Sequence, residues 1–310
     1  MSSAGRSCPL HYRYGAAAIA RAPAEPVETL YVVGGLCGNP FALRALEALT
    51  EREAGEHRVC FNGDFNWFNT NDADFRQING TVLKHDVTLG NVEAEFFTPE
   101  DDAGCGCAYP DTVPDAVVER SNRIHARLKA TARRHPDLIA QLEPCPLVRR
   151  YRVGDAMVGV VHGDANALAG WAFDAHSVRA PGERAALSAA FDTAGVNIFA
   201  SSHTCLPVCH TLDTERVVIN NGAAGMPNFA GTRFGIVTRI STRSAPVDAL
   251  YGTVTGGVHV EALALPYDAA AWMTHFLRNW PAGSDAHVSY HQRMAAGPPY
   301  DLAFARPLPP

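Results

Sequence analysis

Residues 31–39 have the sequence YVVGGLCGN, and an apolar segment that runs from Pro40 through Leu49 follows them. The apolar residues at 31–33 predict a buried strand, and the glycines after them predict a tight turn. Leu43, Leu46 and Leu49 recur at helical spacing, which predicts a helix with one apolar face. The stretch therefore indicates a strand–turn–helix unit whose turn carries side chains at the carboxyl end of the strand.

Four later segments have the same form, because each of them follows or ends an apolar run. These segments are Asn62–Asp64, Leu89–Asn91, Val161–Asp164 and Ser202–Pro207. In an open α/β sheet, polar residues at such strand ends collect along one edge, where ligands bind. The sequence therefore predicts one site that is assembled from several loops.

In this order the segments resemble the motifs of the calcineurin-like metallophosphoesterases over residues 29–240. The family pattern runs D-x-H-G-N, G-D-x-x-D, G-N-H-D/E, H-G, G-H-T-H-x-P and N-P-G. The matching stretches here are Gly35–Asn39, Gly63–Trp67, Gly90–Glu93, His162–Gly163, Ser202–Pro207 and Asn220–Gly222. The resemblance implies an α/β fold, a four-layer αββα sandwich of two mixed β-sheets with a helical insertion.

The chain is predicted to have three parts. Residues 1–28 are expected to form a lead-in that lies over the surface. Residues 29–265 form the metallophosphoesterase domain, with a helical cap inserted at about 94–145 and short strands after residue 208 in a second, antiparallel-rich sheet. Residues 266–310 form a C-terminal helix at Asp268–Trp280 and a tail that wraps the surface.

Composition places the chain among ordinary soluble enzymes. It has 310 residues, of which 47% are hydrophobic and 19% charged, and its net charge is −6. This charge gives no reason to expect nucleic acid or an acidic membrane as a partner, and no apolar run approaches the length of a membrane span. The segment Ala16–Ala20 is too short for a secretion signal, so a cytoplasmic protein is predicted. Eight cysteines in a chain this long predict packing, metal binding or catalysis rather than a disulfide scaffold.

The resemblance implies one complete set of metal ligands. In the family, two metal ions share a bridging aspartate, clamp a phosphoryl group and turn a bound water into hydroxide. By resemblance, Asp64 is the bridging carboxylate, Asn91 a carbonyl-oxygen ligand, and His162 and His203 the imidazole ligands. These four residues are expected to be catalytic. The implied cofactor is a divalent zinc, iron or manganese ion, with one or two ions per chain.

The other ligand set of the family is altered. Gly35 stands in place of an aspartate, and Cys37 and Cys205 stand in place of two histidines that bind the same ion. The two thiols are therefore expected to face each other. Three alternatives remain at this point: the thiolates bind a softer or borderline cation together with Asp64, they form a redox-sensitive pair, or they fill an abandoned site.

A second pair of thiols, Cys105 and Cys107, lies on a glycine-flanked loop shortly after Asn91. If this loop folds over the same sheet edge, four thiols would be close enough for a structural zinc or an iron–sulfur cluster. The alternative is a flexible insert with two unrelated thiols.

The general acid of the family is not retained. Val92 stands in place of the histidine that is thought to protonate the leaving group, while Glu93 keeps the acidic residue that follows it. A histidine from another loop could take over this role, and the spacing does not choose among the candidates. The candidates are His85, His176 and His210.

Amide and aromatic side chains supply the predicted substrate contacts. Asn39, Asn66 and Asn221 are expected to bind phosphate oxygens as amide donors. Trp67, with Phe65 and Phe68, suggests an aromatic group beside the site, although all three could equally be core residues.

Two functions follow from these observations. The first is a metal-dependent phosphoesterase that hydrolyses a small phosphomonoester or phosphodiester, with one retained metal site and one cysteine-substituted site. The alternative is a non-hydrolytic protein that uses the same scaffold to bind a metal or a phosphorylated ligand.

Overall fold

The computed structural model describes residues 4–98 and 103–308. The strands in the described part are β1 (Ala24–Pro26), β2 (Thr29–Val33), β3 (His57–Asn62), β4 (Asp86–Thr88), β5 (Val148–Val153), β6 (Ala156–Val161), β7 (Ile198–Ser201), β8 (Val208–Thr211), β9 (Val217–Asn220), β10 (Gly235–Ser241), β11 (Tyr251–Thr255) and β12 (Val258–Leu265). The helices are α1 (Ala16–Arg21), α2 (Pro40–Thr50), α3 (Asp72–Val82), α4 (Asn91–Ala94), α5 (Asp115–Ala132), α6 (Pro136–Leu142), α7 (Arg184–Ala194), α8 (Ala269–Asn279), α9 (Asp285–Ala296) and α10 (Leu302–Ala305).

The strands form two six-stranded mixed sheets. Sheet I has the order β1-β5-β6-β7-β9-β8, and sheet II has the order β11-β12-β10-β2-β3-β4. Strands β6, β7 and β9 run parallel in sheet I, as do β2, β3 and β4 in sheet II. The strands after residue 208 were predicted to lie together in a second, antiparallel-rich sheet, but the structure divides them between both sheets. Strand β9 pairs with β7 in sheet I, while β10 pairs with β2 in sheet II.

Strand β2 shows why the molecule has four layers. Successive side chains of a strand point to opposite faces. Leu30 and Val32 therefore enter the core between the two sheets, whereas Tyr31 and Val33 pack against the apolar faces of α2 and α3. Helices α1 and α7 contribute to the core from the sheet I side. The predicted four-layer αββα sandwich is confirmed.

The amino-terminal segment is part of the fold rather than a surface lead-in. Strand β1 pairs in parallel with β5 at the edge of sheet I. Tyr12 and Ile19 from this segment are both fully buried. A segment that supplies an edge strand and buried side chains adds to the core, and this corrects the sequence interpretation.

The helices around residues 94–145 and those at the carboxyl end pack together. Side chains from α5, α8 and α9 share one buried cluster, and that cluster includes Trp67 and Phe68 from the loop after β3. The predicted helix at residues 268–280 is confirmed as α8, which Asp268 caps by accepting a hydrogen bond from the Ala271 amide. The tail does not simply wrap the surface, because it forms the further helix α9.

Among the described residues, none of the helices combines the length and the apolar composition that a membrane span requires.

Candidate metal centre

Four of the predicted site residues meet where parallel strands end. Asp64 follows β3, Asn91 opens α4 after β4, His162 follows β6, and His203 follows β7. The ligand atoms of Asp64, His162 and His203 all lie within 4.8 Å of one another. Oδ1 of Asn91 lies 3.2 Å from Nε2 of His162. The structure therefore brings together all four residues that the motifs pointed to.

Hydrogen bonds to backbone carbonyls fix which ring nitrogens carry protons. Nδ1 of His162 lies 2.8 Å from the carbonyl oxygen of Asn62, and Nε2 of His203 lies 3.1 Å from that of Cys107. A carbonyl oxygen can only accept, so each of these nitrogens is the donor. In the neutral rings, Nε2 of His162 and Nδ1 of His203 then carry lone pairs, and these two atoms face each other at 3.3 Å.

Two oxygens complete the set. Oδ1 of Asp64 lies 3.3 Å from Nε2 of His162. Nδ2 of Asn91 donates to the carbonyl oxygen of Cys105 at 2.8 Å, and this turns Oδ1 of Asn91 toward the imidazoles. Four electron-pair donors thus face one another, and a divalent cation is what such a set of nitrogen and oxygen atoms binds. The residues present fit the metal that the resemblance implies.

The charges in the protein suit a cation at this point. Burial raises the pKa of Asp64, but the neighbouring imidazoles of His162 and His203 more than offset this, so the net pKa is lowered and the carboxylate is ionised. Burial, together with the neighbouring His162, lowers the pKa of His203 to about 4, which keeps that ring neutral. Burial also lowers the pKa of His162, but the carboxylate of Asp64 outweighs it and the net pKa is raised. A proton on His162 and a metal ion are therefore competitors for the same carboxylate.

Glu93 positions the loop that carries Asp64. It is fully buried, and its carboxylate accepts hydrogen bonds from the amides of Asp64, Asn66 and Gly90 at 2.8, 3.1 and 3.3 Å. Burial, with the nearby charge of Asp64, raises the pKa of Glu93 to about 7. This side chain ties the loops after β3 and β4 together, so that Asp64 and Asn91 keep their separation.

Uncommon backbone conformations are concentrated at the site. Among the described residues other than glycine, those with positive φ are Cys37, Asp64, Ala108 and Cys205, at 55°, 53°, 48° and 56°. A left-handed conformation is disfavoured for residues with a Cβ and persists where the surrounding structure holds it. All four lie on the loops that surround the candidate metal centre.

The altered half of the site holds two protonated thiols. Sγ of Cys37 lies 3.2 Å from the carbonyl oxygen of Gly35, and Sγ of Cys205 lies 3.5 Å from that of His203. Burial raises the pKa of Cys37 well above its usual range, and that of Cys205 to about 11. Asp64 forms a close group of three with the two imidazoles. Among the described residues, the two thiols form no such group with Asp64. The geometry therefore favours a packing or redox role over metal binding by the thiolates.

Gly35 stands in a strained and tightly packed position for the aspartate that the family has there. Its φ is +63°, and an added Cβ would lie 3.2 Å from the Cα of Ala223. A side chain here would be strained and would press against the backbone, so the ligand set on this side cannot be restored by one substitution.

These thiols lead to a prediction about reactivity. We expect Cys37 and Cys205 in the folded protein to react with iodoacetamide at pH 8 at least about tenfold more slowly than in the urea-denatured chain, since the thiolate is the reactive form. We also expect the rates to be the same with and without a chelator. Mass spectrometry of the labelled peptides measures both rates, and protection of both thiols by added zinc would restore the interpretation as metal ligands.

The C-x-C loop folds over the sheet edge and contacts the site through two backbone carbonyls and one thiol, since Sγ of Cys107 accepts from Nδ2 of Asn91 at 3.5 Å. The carbonyl oxygen of Cys105 accepts from Asn91, and that of Cys107 accepts from His203 and from Nε1 of Trp171 at 3.1 Å. No group of three or more closely spaced thiols is found in the part of the chain that the structure describes. The structure therefore does not bring the four thiols into the tight group that a structural zinc needs.

The three asparagines expected to bind phosphate do not reach the site, and this part of the prediction is corrected. Asn39 caps α2 and donates to the carbonyl of Gly225, and Asn221 donates to the carbonyls of Gly34 and Ile236. Asn66 is fully buried and exchanges hydrogen bonds with neighbouring amide side chains. Their amide donors are used to hold the fold together.

A cavity of about 190 Å³ lies over the candidate metal centre. Its walls include Asp64, Asn91 and His203, both thiols of the altered half, and the side chains of Trp67, Tyr109, Trp171, Tyr290 and Arg293. Phe65 and Phe68 belong to the core instead. His85, His176 and His210 do not line the cavity, so none of them can supply the general acid in this conformation.

Tyr290 and Arg293 were not found from the sequence. Both come from α9, which lies beyond the last family motif. The signals for that helix were present: Ser284 stands at the N-cap, Gly297 follows the last turn with φ +75°, and Ala286, Tyr290 and Met294 recur every four residues. Nothing in the sequence indicated that this helix reaches the site.

Solved structures share this fold. A metallophosphoesterase from Sphaerobacter thermophilus aligns with a TM-score of 0.55 and 18% identity, over 88% of this chain and 100% of that one. A hypothetical protein from Pyrococcus horikoshii aligns with a TM-score of 0.59 and 14% identity, over 87% of this chain and 99% of that one. No protein-family model matches the sequence, and no curated protein matches it either. The chain therefore has the fold of the calcineurin-like metallophosphoesterases, which the motifs predicted.

Proposed function

We propose that this protein is a metal-dependent phosphoesterase that works with one divalent cation, held by Asp64, Asn91, His162 and His203. One observation carries the proposal: four electron-pair donors face one another, and hydrogen bonds to backbone carbonyls leave both imidazole lone pairs directed at the same point. A zinc, iron or manganese ion suits these donors. Such an ion would polarise a phosphoryl oxygen and lower the pKa of an attacking water molecule.

The side chains around the centre limit the substrate to a small one. The cavity of about 190 Å³ has the indole rings of Trp67 and Trp171 in its walls, which exclude water from part of the site. Burial raises the pKa of the phenols of Tyr109 and Tyr290 well above the usual range, so both stay protonated and can donate hydrogen bonds to a substrate oxygen. A small phosphomonoester or phosphodiester fits this description. The predicted cytoplasmic location and the absence of nucleic-acid and membrane partners stay predictions.

Metal analysis combined with an assay tests the proposal. Protein purified and then loaded with zinc, manganese or iron should hold about one ion per chain and should hydrolyse p-nitrophenyl phosphate or bis(p-nitrophenyl) phosphate. Removal of the ion by a chelator should abolish turnover, and adding the ion back should restore it. A protein that holds no ion, or that turns over equally well without one, would contradict the proposal.

The second candidate is a non-hydrolytic protein that binds a metal or a phosphorylated ligand. The observation that favours it is the altered half of the site, where Gly35, Cys37 and Cys205 replace three family ligands and Val92 replaces the general acid. One bound ion per chain, with phosphate binding but no turnover of either aryl ester, would support this candidate over the first.

A further inference from the structure

Arg293 places a positive charge in the altered half of the site. It lies on α9 and lines the same cavity as Asp64, Cys37 and Cys205. Its Nη2 donates to the carbonyl oxygen of Cys205 at 2.8 Å.

The guanidinium is held in place by the backbone and not by a carboxylate. Its Nε donates to the carbonyl oxygen of Pro227 at 2.9 Å, so two neutral carbonyls fix its plane. Among the described residues no carboxylate forms an ion pair with it, whereas the buried Arg239 is paired with both Glu53 and Glu261. Its Nη1 makes no hydrogen bond to the residues that the structure describes. A fixed, uncompensated cation with a spare donor in a cavity wall is what an anionic ligand needs.

We propose that Arg293 binds phosphoryl oxygens in the half of the site where the two thiols stand, so that one metal ion and one guanidinium together hold a phosphomonoester dianion. This inference rests on the proposed function and names the substrate class of that site. The free Nη1 carries two hydrogens, and it can donate them to phosphoryl oxygens while Nε and Nη2 stay bonded to the backbone. The organic group of the ester would lie among the aromatic side chains of Trp67, Tyr109 and Tyr290.

Arg293→Gln tests this inference through ligand binding, without reference to turnover. Calorimetric titration of the metal-loaded protein with inorganic phosphate should show an affinity roughly tenfold to a hundredfold lower for Arg293→Gln than for the unsubstituted protein, which is the usual loss for a charged hydrogen bond. Metal content should be unchanged, since Arg293 is not among the metal ligands. Arg293→Lys, which keeps the charge but lacks the planar fork, should bind phosphate with intermediate affinity.

Arg233→Gln is the matched control. Arg233 is exposed and does not line the cavity. Its Nε donates at 2.9 Å to the carbonyl oxygen of Ala295, which lies in α9, the helix that carries Arg293. Phosphate affinity should be unaffected by this substitution. An equal loss in both variants would mean that the effect comes from the packing of α9, and it would overturn the inference.

A measurement on the unsubstituted protein covers the case in which Arg293→Gln does not fold. Inorganic phosphate should protect Arg293, but not Arg233, from modification by phenylglyoxal, as read by peptide mass spectrometry. The lack of such protection in a metal-loaded protein would overturn the inference and leave the proposed function standing. If the protein binds no metal at all, the proposed function is overturned. Protection of Arg293 by phosphate in such a metal-free protein would still support an anion site at Arg293.

Discussion

Substitution of His203 by alanine is expected to lower the affinity for zinc or manganese by at least about a hundredfold. Loss of a residue that only supports a metal ligand already lowers metal affinity about tenfold to a hundredfold. Removal of a direct ligand should lower the affinity by at least as much. The fold should survive, because the strand that precedes His203 keeps its pairing with β6 and β9. Metal content after dialysis, measured with a competing chelator, gives the affinity.

His85→Ala is the control for that substitution. His85 has the same imidazole side chain as His203, but it packs against Phe61 and does not line the cavity. It should keep the metal affinity of the unsubstituted protein. If His203→Ala holds metal as tightly as His85→Ala does, the assignment of His203 as a ligand is wrong.

Gly63→Ala is expected to disrupt both the site and the fold around it. The φ of Gly63 is +74°, and an added Cβ would lie 2.4 Å from the Cα of Gly90 and 2.6 Å from Nδ1 of His162. The loops that carry Asp64 and Asn91 would have to separate. We expect a loss of roughly 2–6 kcal/mol in the free energy of unfolding, from backbone strain of about 1–3 kcal/mol and overpacking of a similar size. Metal binding should be lost with it.

Gly80→Ala provides the matched comparison for Gly63→Ala. Gly80 lies inside α3, and an added Cβ there would meet no atom within 4 Å. Because alanine favours a helix over glycine, this variant should be more stable by about 0.5–1 kcal/mol. Urea unfolding of the two variants beside the unsubstituted protein measures both effects. Equal stability of Gly63→Ala and the unsubstituted protein would mean that the loops do not approach as closely as described.

The sequence contained most of the local structure but not all of the long-range pairing. Strand β2 and helix α2 lie close to the predicted bounds, because a short apolar run and leucines at helical spacing define them locally. The placement of β10 beside β2 in sheet II could not be predicted, since about 200 residues separate the two strands and their apolar patterns would suit either sheet. The burial of Tyr12 and Ile19 was missed for a similar reason.

The convergence of the four candidate ligands was better predicted than the cavity over them. Strand-end motifs pointed to Asp64, Asn91, His162 and His203. The carboxyl ends of parallel strands meet at one edge of the sheet, so these residues could be placed together without knowing the rest of the fold. The phosphate-binding role of the asparagines failed because an amide is equally suited to backbone carbonyls, and Asn39 and Asn221 bind those. Arg293 could not be found, because its role depends on where a distant helix packs.

The four-ligand centre is the central claim, and an anomalous difference map from crystals of the zinc-loaded protein tests it most directly. The predicted result is one strong peak per chain at about 2.0–2.2 Å from the facing atoms of Asp64, Asn91, His162 and His203. A peak of equal strength bonded to Cys37 and Cys205, or no peak among the four residues, would contradict the account.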